Sequence, residues 1–347
     1  TVVALPSLHL VARTFANAER IMLTNLPAHA KAPMSSAIVG DSGLVHGYMS
    51  YPIGTRSPRR LLETWREIRR FKPDVLVYLC GFRGERAVKR DRLFFRACGL
   101  KHIVGLPFGD LSFQQYDSRT GMWEREAYRL SRTLAPLGDA DPANLENWNL
   151  RLTSAEQRKA DSVLSDLAGA PAICGGLGTK MQAKDWGGQN WRQLMERLSI
   201  RFPTHGLVLV GAKEDREVSR AAAEAWSGKA LNLCGQLSPR ETAAVIARTE
   251  LFVGPDSGPM HFAAAAGVPC AIAFSARGKP GVWFPIGEGH EIVYHKTKCF
   301  GCNLETCVAE KNKCLTSITV DEMYIAALKR NPVSACVEPV LPGAVVV

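Results

Sequence analysis

No apolar run in this sequence reaches the roughly 18 residues that a membrane-spanning helix requires. The longest candidate, around Phe262–Phe274, is broken by Gly267 and Pro269. Low-complexity tracts, internal repeats and collagen-like periodicity are also missing. Hydrophobic residues make up 46% and charged residues 22% of the chain, the balance of an ordinary folded protein. Thr1–Leu10 lacks a basic lead and Arg13 follows too soon for a secretory leader, so a reducing, cytoplasmic setting is expected. No nucleic-acid reader motif occurs, and the basic segments offer few aromatics for base stacking. The length, 347 residues, predicts two domains at roughly 150 residues each.

Charge is unevenly placed. Residues 1–160 hold 24 Lys/Arg against 15 Asp/Glu, while the remainder is nearly balanced within a total of +10. Arg56, Arg59, Arg60, Arg66, Arg69, Arg70 and Lys72 cluster in one segment, and Arg83, Arg86, Lys89, Arg90, Arg92 and Arg96 follow. A one-sided basic field implies an anionic partner: nucleic acid, a lipid surface or a phosphorylated substrate. The alternative is a solvated surface rich in Arg. Cys80, Cys98, Cys174, Cys234 and Cys270 lie in apolar stretches and read as core residues. Cys299, Cys302, Cys307 and Cys314 are spaced C-x2-C-x4-C-x6-C, which suits zinc, local disulfides or reduced thiols.

Short apolar runs alternate with helical patterns throughout, the mark of parallel α/β sheets. In the first half, helices are expected at Val2–Phe15, Leu61–Arg70 and 84–97. Strands are expected at Arg20–Thr24 (ending at Asn25-Leu26-Pro27), Asp74–Leu79 and Lys101–Val104. In the second half, strands are expected at Pro171–Cys174, Gly206–Val210, Ala230–Asn232, Leu251–Val253 and Cys270–Phe274, with helices between them. Ser238-Pro239-Arg240-Glu241 has the form of a capping box. The expectation is an α/β protein of two doubly wound, Rossmann-like domains facing across a cleft. Residues 1–165 would bind acceptor, 166–325 would bind donor, and 326–347 would be a tail packing back on the first domain.

Three loops carry candidate chemistry. After the strand at 251–253 comes Gly254-Pro255-Asp256-Ser257-Gly258-Pro259-Met260-His261, then an Ala-rich helix. The first amides of such a helix lack internal partners and carry the positive end of its dipole, which suits phosphate or a polyhydroxylated sugar. Ser257 can cap, Gly258 lets a ligand approach the backbone, and Asp256 can accept sugar hydroxyls. An ordinary turn with a core histidine is the competing reading. The stretch 175–186 is neither a dinucleotide fingerprint nor a Walker loop, because the third glycine and the GK[ST] end are absent. It supplies Thr179 as hydroxyl donor and Lys184 as cation, the needs of a diphosphate held without a metal. After Gly206–Val210, Glu214-Asp215 could take ribose hydroxyls, or Asp215 could simply cap a helix.

In this order the pieces resemble the ADP-heptose:lipopolysaccharide heptosyltransferases, glycosyltransferase family nine, of GT-B architecture. GPDSGPMHFAAAAGVP at 254–269 is similar to the family's D-[ST]-G-x-x-H-x-x-A-A-x-G-x-P signature, and KDWGGQNW at 184–191 to its Lys-x-Trp segment. GQLSPRETAAVIARTELFVGPD at 235–256, CFGC at 299–302, FKPDVLVYLCGFRGERAV at 71–88 and VVALPSLHLVARTF at 2–15 also resemble family segments.

The resemblance implies inverting transfer of a heptose from ADP-heptose, with no cofactor or metal required, to a lipid A–Kdo type acceptor in lipopolysaccharide inner-core synthesis. Lys184 and Thr179 would hold the pyrophosphate. Asp256, Ser257, Gly258, Pro259 and His261 would bind sugar and phosphates, with Lys184, Asp256 and His261 as the catalytic candidates. Glu214 or Asp215 would take the ribose, and Leu237 would lie near the base. The family's general base belongs to a Gly-Asp pair just before the first helix. Thr1 begins where that pair would end, so the base is unassigned here and the first strand has no counterpart in these residues. Arg59, Arg60, Arg66, Arg69, Arg70 and Arg83 would meet the anionic glycolipid at the inner face of the inner membrane. A different nucleotide-sugar donor, an epimerase, and a catalytically silent nucleotide-sugar or lipid-binding protein are the alternatives.

Overall fold

The computed structural model describes residues 1–26, 33–52 and 57–329. The first half contains α1 (Leu5–Thr14), β1 (Ile21–Leu26), α2 (Ser35–Val39), β2 (Gly47–Pro52), α3 (Pro58–Phe71), β3 (Val75–Val77), α4 (Glu85–Ala97) and β4 (His102–Val104). The short hairpin β5 (Tyr116–Asp117) and β6 (Met122–Trp123) follows, then α5 (Glu126–Thr133) and α6 (Ser154–Leu164). β1 pairs with β2 and β3 with β4, both parallel. The expected strand at 20–24 extends to Leu26; Pro27 and Arg56 lie outside the described residues.

The second half is one six-stranded sheet. Its elements are β7 (Ala172–Gly175), α7 (Gly188–Arg201), β8 (Gly206–Leu209), α8 (Arg216–Ala223), β9 (Ala230–Asn232), α9 (Pro239–Ile246), β10 (Leu251–Pro255), α10 (Gly258–Ala265), β11 (Cys270–Phe274) and β12 (His290–Tyr294). The short α11 (Lys313–Thr316) and α12 (Val320–Lys329) close it. Strand order is β12-β11-β10-β7-β8-β9, and every pair is parallel. This is the doubly wound order, and it reverses direction between β7 and β10. The central strands are buried on both faces, which is why they read as continuous apolar runs. The Ser238 capping box forms as expected: Ser238 Oγ accepts from Glu241 N at 3.2 Å, and Glu241 Oε2 accepts from Ser238 N at 2.7 Å.

Two cores sandwich this sheet. One gathers Trp186, Trp191, Leu194 and Leu198 with Met323, Ala326 and Ala327 of α12. The expected boundary at 325 therefore falls inside a helix whose last turns are core to the second half; residues 330–347 lie outside the described residues. The other core joins the halves: Val2, Leu5 and Leu8 of the first pack with Phe252, Met260 and Phe262 of the second. Arg240 of α9 pins the same seam. Only 4% exposed, it donates to Glu156 at 2.6 and 3.0 Å and to the carbonyls of Ile38, Val39, Leu150 and Arg151 at 2.9–3.1 Å. Cys98, Cys174, Cys234 and Cys270 are buried thiols and Cys80 is partly buried.

Candidate active site

In an open α/β sheet, ligands bind outside the carboxyl ends of the strands where strand order reverses. Here that is the crevice above β7 and β10. Gly176 N donates to Val253 O at 3.0 Å, so the two strand ends leave the sheet side by side. A Cβ at Gly254 would stand 2.7 Å from Gly176 O, so a side chain at 254 would push these loops apart. Across the crevice, Lys184 Nζ lies 2.7 Å from Asp256 Oδ2 and 3.3 Å from Asp256 O. These residues are 72 positions apart in sequence, and both carboxylate and ammonium are largely shielded from water.

Ser257 takes the N-cap position of α10, yet its hydroxyl caps nothing. Its Oγ is buried without a hydrogen-bond partner, a state that costs free energy until a ligand satisfies it. Just beyond, the space into which a Cβ of Gly258 would point is empty to 4 Å. Pro259 fills the first turn of α10, which contains no acidic residue, so its positive end is uncompensated from within the helix. His261 stands one turn in. Burial is the main cause that pushes its pKa down to about 4; Asp256 opposes the fall and Lys184 adds to it. The imidazole is therefore neutral at physiological pH.

The remaining predicted residues divide. Thr179 is partly buried and folds onto its own turn, with its hydroxyl 3.3 Å from both Met181 N and Met181 O. Asp215 caps the turn before α8 by accepting from Ala212 N at 2.8 Å, and a Cβ at Gly178 would overlap its carboxylate. Glu214 beside it is exposed. Leu237 packs on the core that joins the halves. Lys180 was not anticipated. It sits in the glycine turn near Asp215 and Glu214, and burial pushes its pKa down while those carboxylates partly restore it. The adjacent Gly178-Thr179-Lys180 was the available signal, and Lys184 drew attention from it.

The basic residues lie elsewhere. On α3, Arg59 and Arg60 pair with Glu63 at 3.2 and 3.0 Å, and Arg66, Arg69 and Arg70 are exposed, with Arg69 stacked 5.2 Å from the Trp65 ring centre. Arg83 is held by Asp91 at 2.8 Å and Tyr78 at 3.3 Å. Cys299, Cys302, Cys307 and Cys314 line one small cavity. They do not fit the zinc reading as they stand: among the described residues, no three metal-ligating side chains converge on a common point.

A doubly wound six-stranded sheet with its switch point, joined at a seam to a first half of parallel α/β pairs, is the arrangement of GT-B glycosyltransferases. The family described as Glycosyltransferase family 9 (heptosyltransferase) matches residues 128–313, more than half of the chain, and the chain belongs to that family. Three solved structures share the fold at low identity. A family 9 glycosyl transferase from Veillonella parvula is 17% identical at TM-score 0.69, covering 94% of this chain and 92% of its own. E. coli ADP-heptose LPS heptosyltransferase II is 16% identical at 0.62, covering 94% and 93%. E. coli heptosyltransferase WaaC with ADP-2-deoxy-2-fluoro heptose is 17% identical at 0.53, covering 92% and 93%. No curated protein matches the sequence.

Proposed function

We propose that this glycosyltransferase moves a heptose, with inversion, from ADP-heptose to a lipopolysaccharide inner-core acceptor at the cytoplasmic face of the inner membrane. The reading is carried by one observation: Lys184, paired with Asp256, lies beside the uncapped N-terminus of α10 and the orphaned Ser257 hydroxyl, at the switch point of the sheet. Among the similar solved structures, E. coli heptosyltransferase II is named for ADP-heptose, and E. coli heptosyltransferase WaaC is bound to ADP-2-deoxy-2-fluoro heptose.

The donor diphosphate would lie over the first turn of α10, taking its free amides, Ser257 Oγ and the Lys184 ammonium. Lys180 would approach it from the glycine turn. Asp256 then exchanges part of its bond to Lys184 for hydroxyls of the sugar. Glu214, exposed beside the capping Asp215, is the carboxylate left to take the ribose. In the reaction an acceptor hydroxyl loses its proton to a general base, unassigned among the residues named here, and its oxygen bonds to the anomeric carbon as the carbon–oxygen bond to the diphosphate breaks. Negative charge then grows on departing ADP, where Lys184 and the helix dipole stabilise it more than in the ground state. Neutral His261 can offer or accept a hydrogen bond but adds no charge. These cations do the work that a metal performs in other transferases.

The exposed arginines of α3 flank Leu61 and Leu62, both more than 40% exposed, a pairing suited to an anionic lipid face. No described helix is long and apolar enough to cross a membrane. The test is transfer with purified protein, ADP-heptose and a Kdo–lipid A acceptor, with UDP-sugars as controls and a chelator present. Heptosylated product from ADP-heptose alone, unaffected by chelator, is expected. Turnover only with a UDP-sugar contradicts the donor assignment, and loss of turnover on chelation contradicts the metal-free mechanism.

A further inference from the structure

The short turn Gln182–Lys184 delivers the Lys184 side chain; besides two local bonds, Lys184 N to Met181 O at 2.9 Å and Asp185 N to Gln182 O at 3.0 Å, it is held by residues far away in sequence. Ser275, 1% exposed at the end of β11, donates its hydroxyl to Ala183 O at 2.7 Å. Asn312, 5% exposed, donates Nδ2 to Gln182 O at 2.7 Å. Between them the cysteine-bearing loop adds two bonds: Ala183 N to Glu305 O at 3.0 Å, and Cys307 N to Gln182 Oε1 at 2.8 Å. Arg277 anchors that loop in turn, donating to Leu304 O and Asn303 O, each at 2.7 Å. Thus the backbone carbonyls of both residues preceding Lys184 depend on two buried side chains from beyond residue 270.

Asn312 suits the task. Its φ of +57° is left-handed, a conformation asparagine tolerates better than most residues. That conformation starts α11 and fixes where the amide points. Ser275 stands where β11 leaves the sheet, so its hydroxyl is as rigid as the sheet itself.

We propose that Asn312 and Ser275 are positioning residues for Lys184: they fix the turn so that its ammonium reaches the diphosphate site, and so set donor affinity. This rests on the donor-site reading given above. Neither residue touches the diphosphate in this arrangement; both act through the backbone at 182–183.

The test is ADP titration and donor kinetics on Asn312→Gly and Ser275→Ala, alone and combined with Lys184→Ala. Glycine keeps the left-handed backbone at 312 and removes only the amide. Each single variant is expected to weaken ADP binding and raise the donor KM about 3- to 10-fold, the size of one hydrogen bond, and, because Lys184 also stabilises the departing ADP, to lower kcat at saturating donor by up to a similar factor. Ser275→Thr, which keeps the hydroxyl, should restore affinity. Backbone amide exchange at Ala183–Asp185 should quicken in Asn312→Gly. In the Lys184→Ala background the same changes should cost no further affinity. If Lys184→Ala weakens ADP binding but Asn312→Gly and Ser275→Ala do not, or if they cost as much without Lys184 as with it, the positioning role is overturned and the donor site stands. If Lys184→Ala itself leaves ADP affinity at the parent value, the donor-site reading fails and the positioning role falls with it.

Discussion

At the scale of single residues, the site is built from groups left incomplete. Ser257 has a buried hydroxyl with nothing to bond, and Gly258 opens on space. His261 is held neutral, and this has a consequence for stability. Its pKa in the fold is about 4, against an ordinary 6.5 in an unfolded chain. As pH falls below 6.5 the unfolded chain takes up a proton that the native protein refuses until near pH 4. Stability from this source is complete above pH 6.5 and is lost on acidification through that window, on the order of 3 kcal/mol in all. Denaturant titrations at pH 7 and pH 4.5 should show His261→Gln losing less stability than the parent over this interval; equal losses would mean the imidazole is not held neutral. Gly178 is a second such point. Because a Cβ there would overlap the Asp215 carboxylate, Gly178→Ala should displace the turn before α8 and lower ADP affinity, whereas an unchanged titration would show that the loop gives way freely.

At the scale of elements, the central strands were legible because burial on both faces leaves continuous apolar runs, and β7, β8 and β10 end at or near glycine. Several elements were not, β12, β2 and α12 among them. β12, His290–Tyr294, carries His and Glu at its start and pairs only with β11, so its sequence has the polarity of an edge. β2 alternates half-buried with exposed residues and ends in Pro52, which hides it among turns. α12 runs across an expected domain boundary because its apolar stripe, Met323, Ala326 and Ala327, packs under the sheet rather than on the first half. In the site, the glycine motif was readable locally, but the support of Lys184 by Asn312 and Ser275 spans 130 and 92 positions and leaves no local pattern. Arg240 was read only as part of a helix start, yet it bonds across the seam. Removing it strands Glu156 and four carbonyls, so Arg240→Met should destabilise by roughly 3–5 kcal/mol in chemical denaturation, and Arg240→Lys should recover little, since an ammonium cannot span these acceptors. A loss below about 1 kcal/mol would show the seam to be held by its apolar core alone. Burial alone would raise the Glu156 pKa, but bonds from Arg240 and Thr153 N hold it below the ordinary range. The stability it contributes is present above the usual carboxyl range and disappears as pH falls through that lowered value.

At the scale of the whole molecule, charge and chemistry are divided between the halves. The proposed donor site lies in the nearly neutral second half, while α3 and α4 of the first carry much of the basic excess and expose Leu61, Leu62 and Leu93. Arg66, Arg69 and Arg70 replaced together by Ala should weaken binding to vesicles containing anionic lipid by about 1 kcal/mol per residue at low salt, and raise the acceptor KM in parallel. Binding that is unchanged, or equal on neutral vesicles, would remove the membrane role of α3. The proposed function as a whole depends on one arrangement, in which the Lys184 ammonium and the α10 N-terminus would converge on a diphosphate. Isothermal titration of ADP into the parent and Lys184→Ala, with circular dichroism to confirm the fold, measures it most directly. The predicted result is saturable binding to the parent and a loss of roughly 10- to 100-fold in the variant, as expected for a charge-assisted bond; equal affinity in the two folded proteins would contradict it.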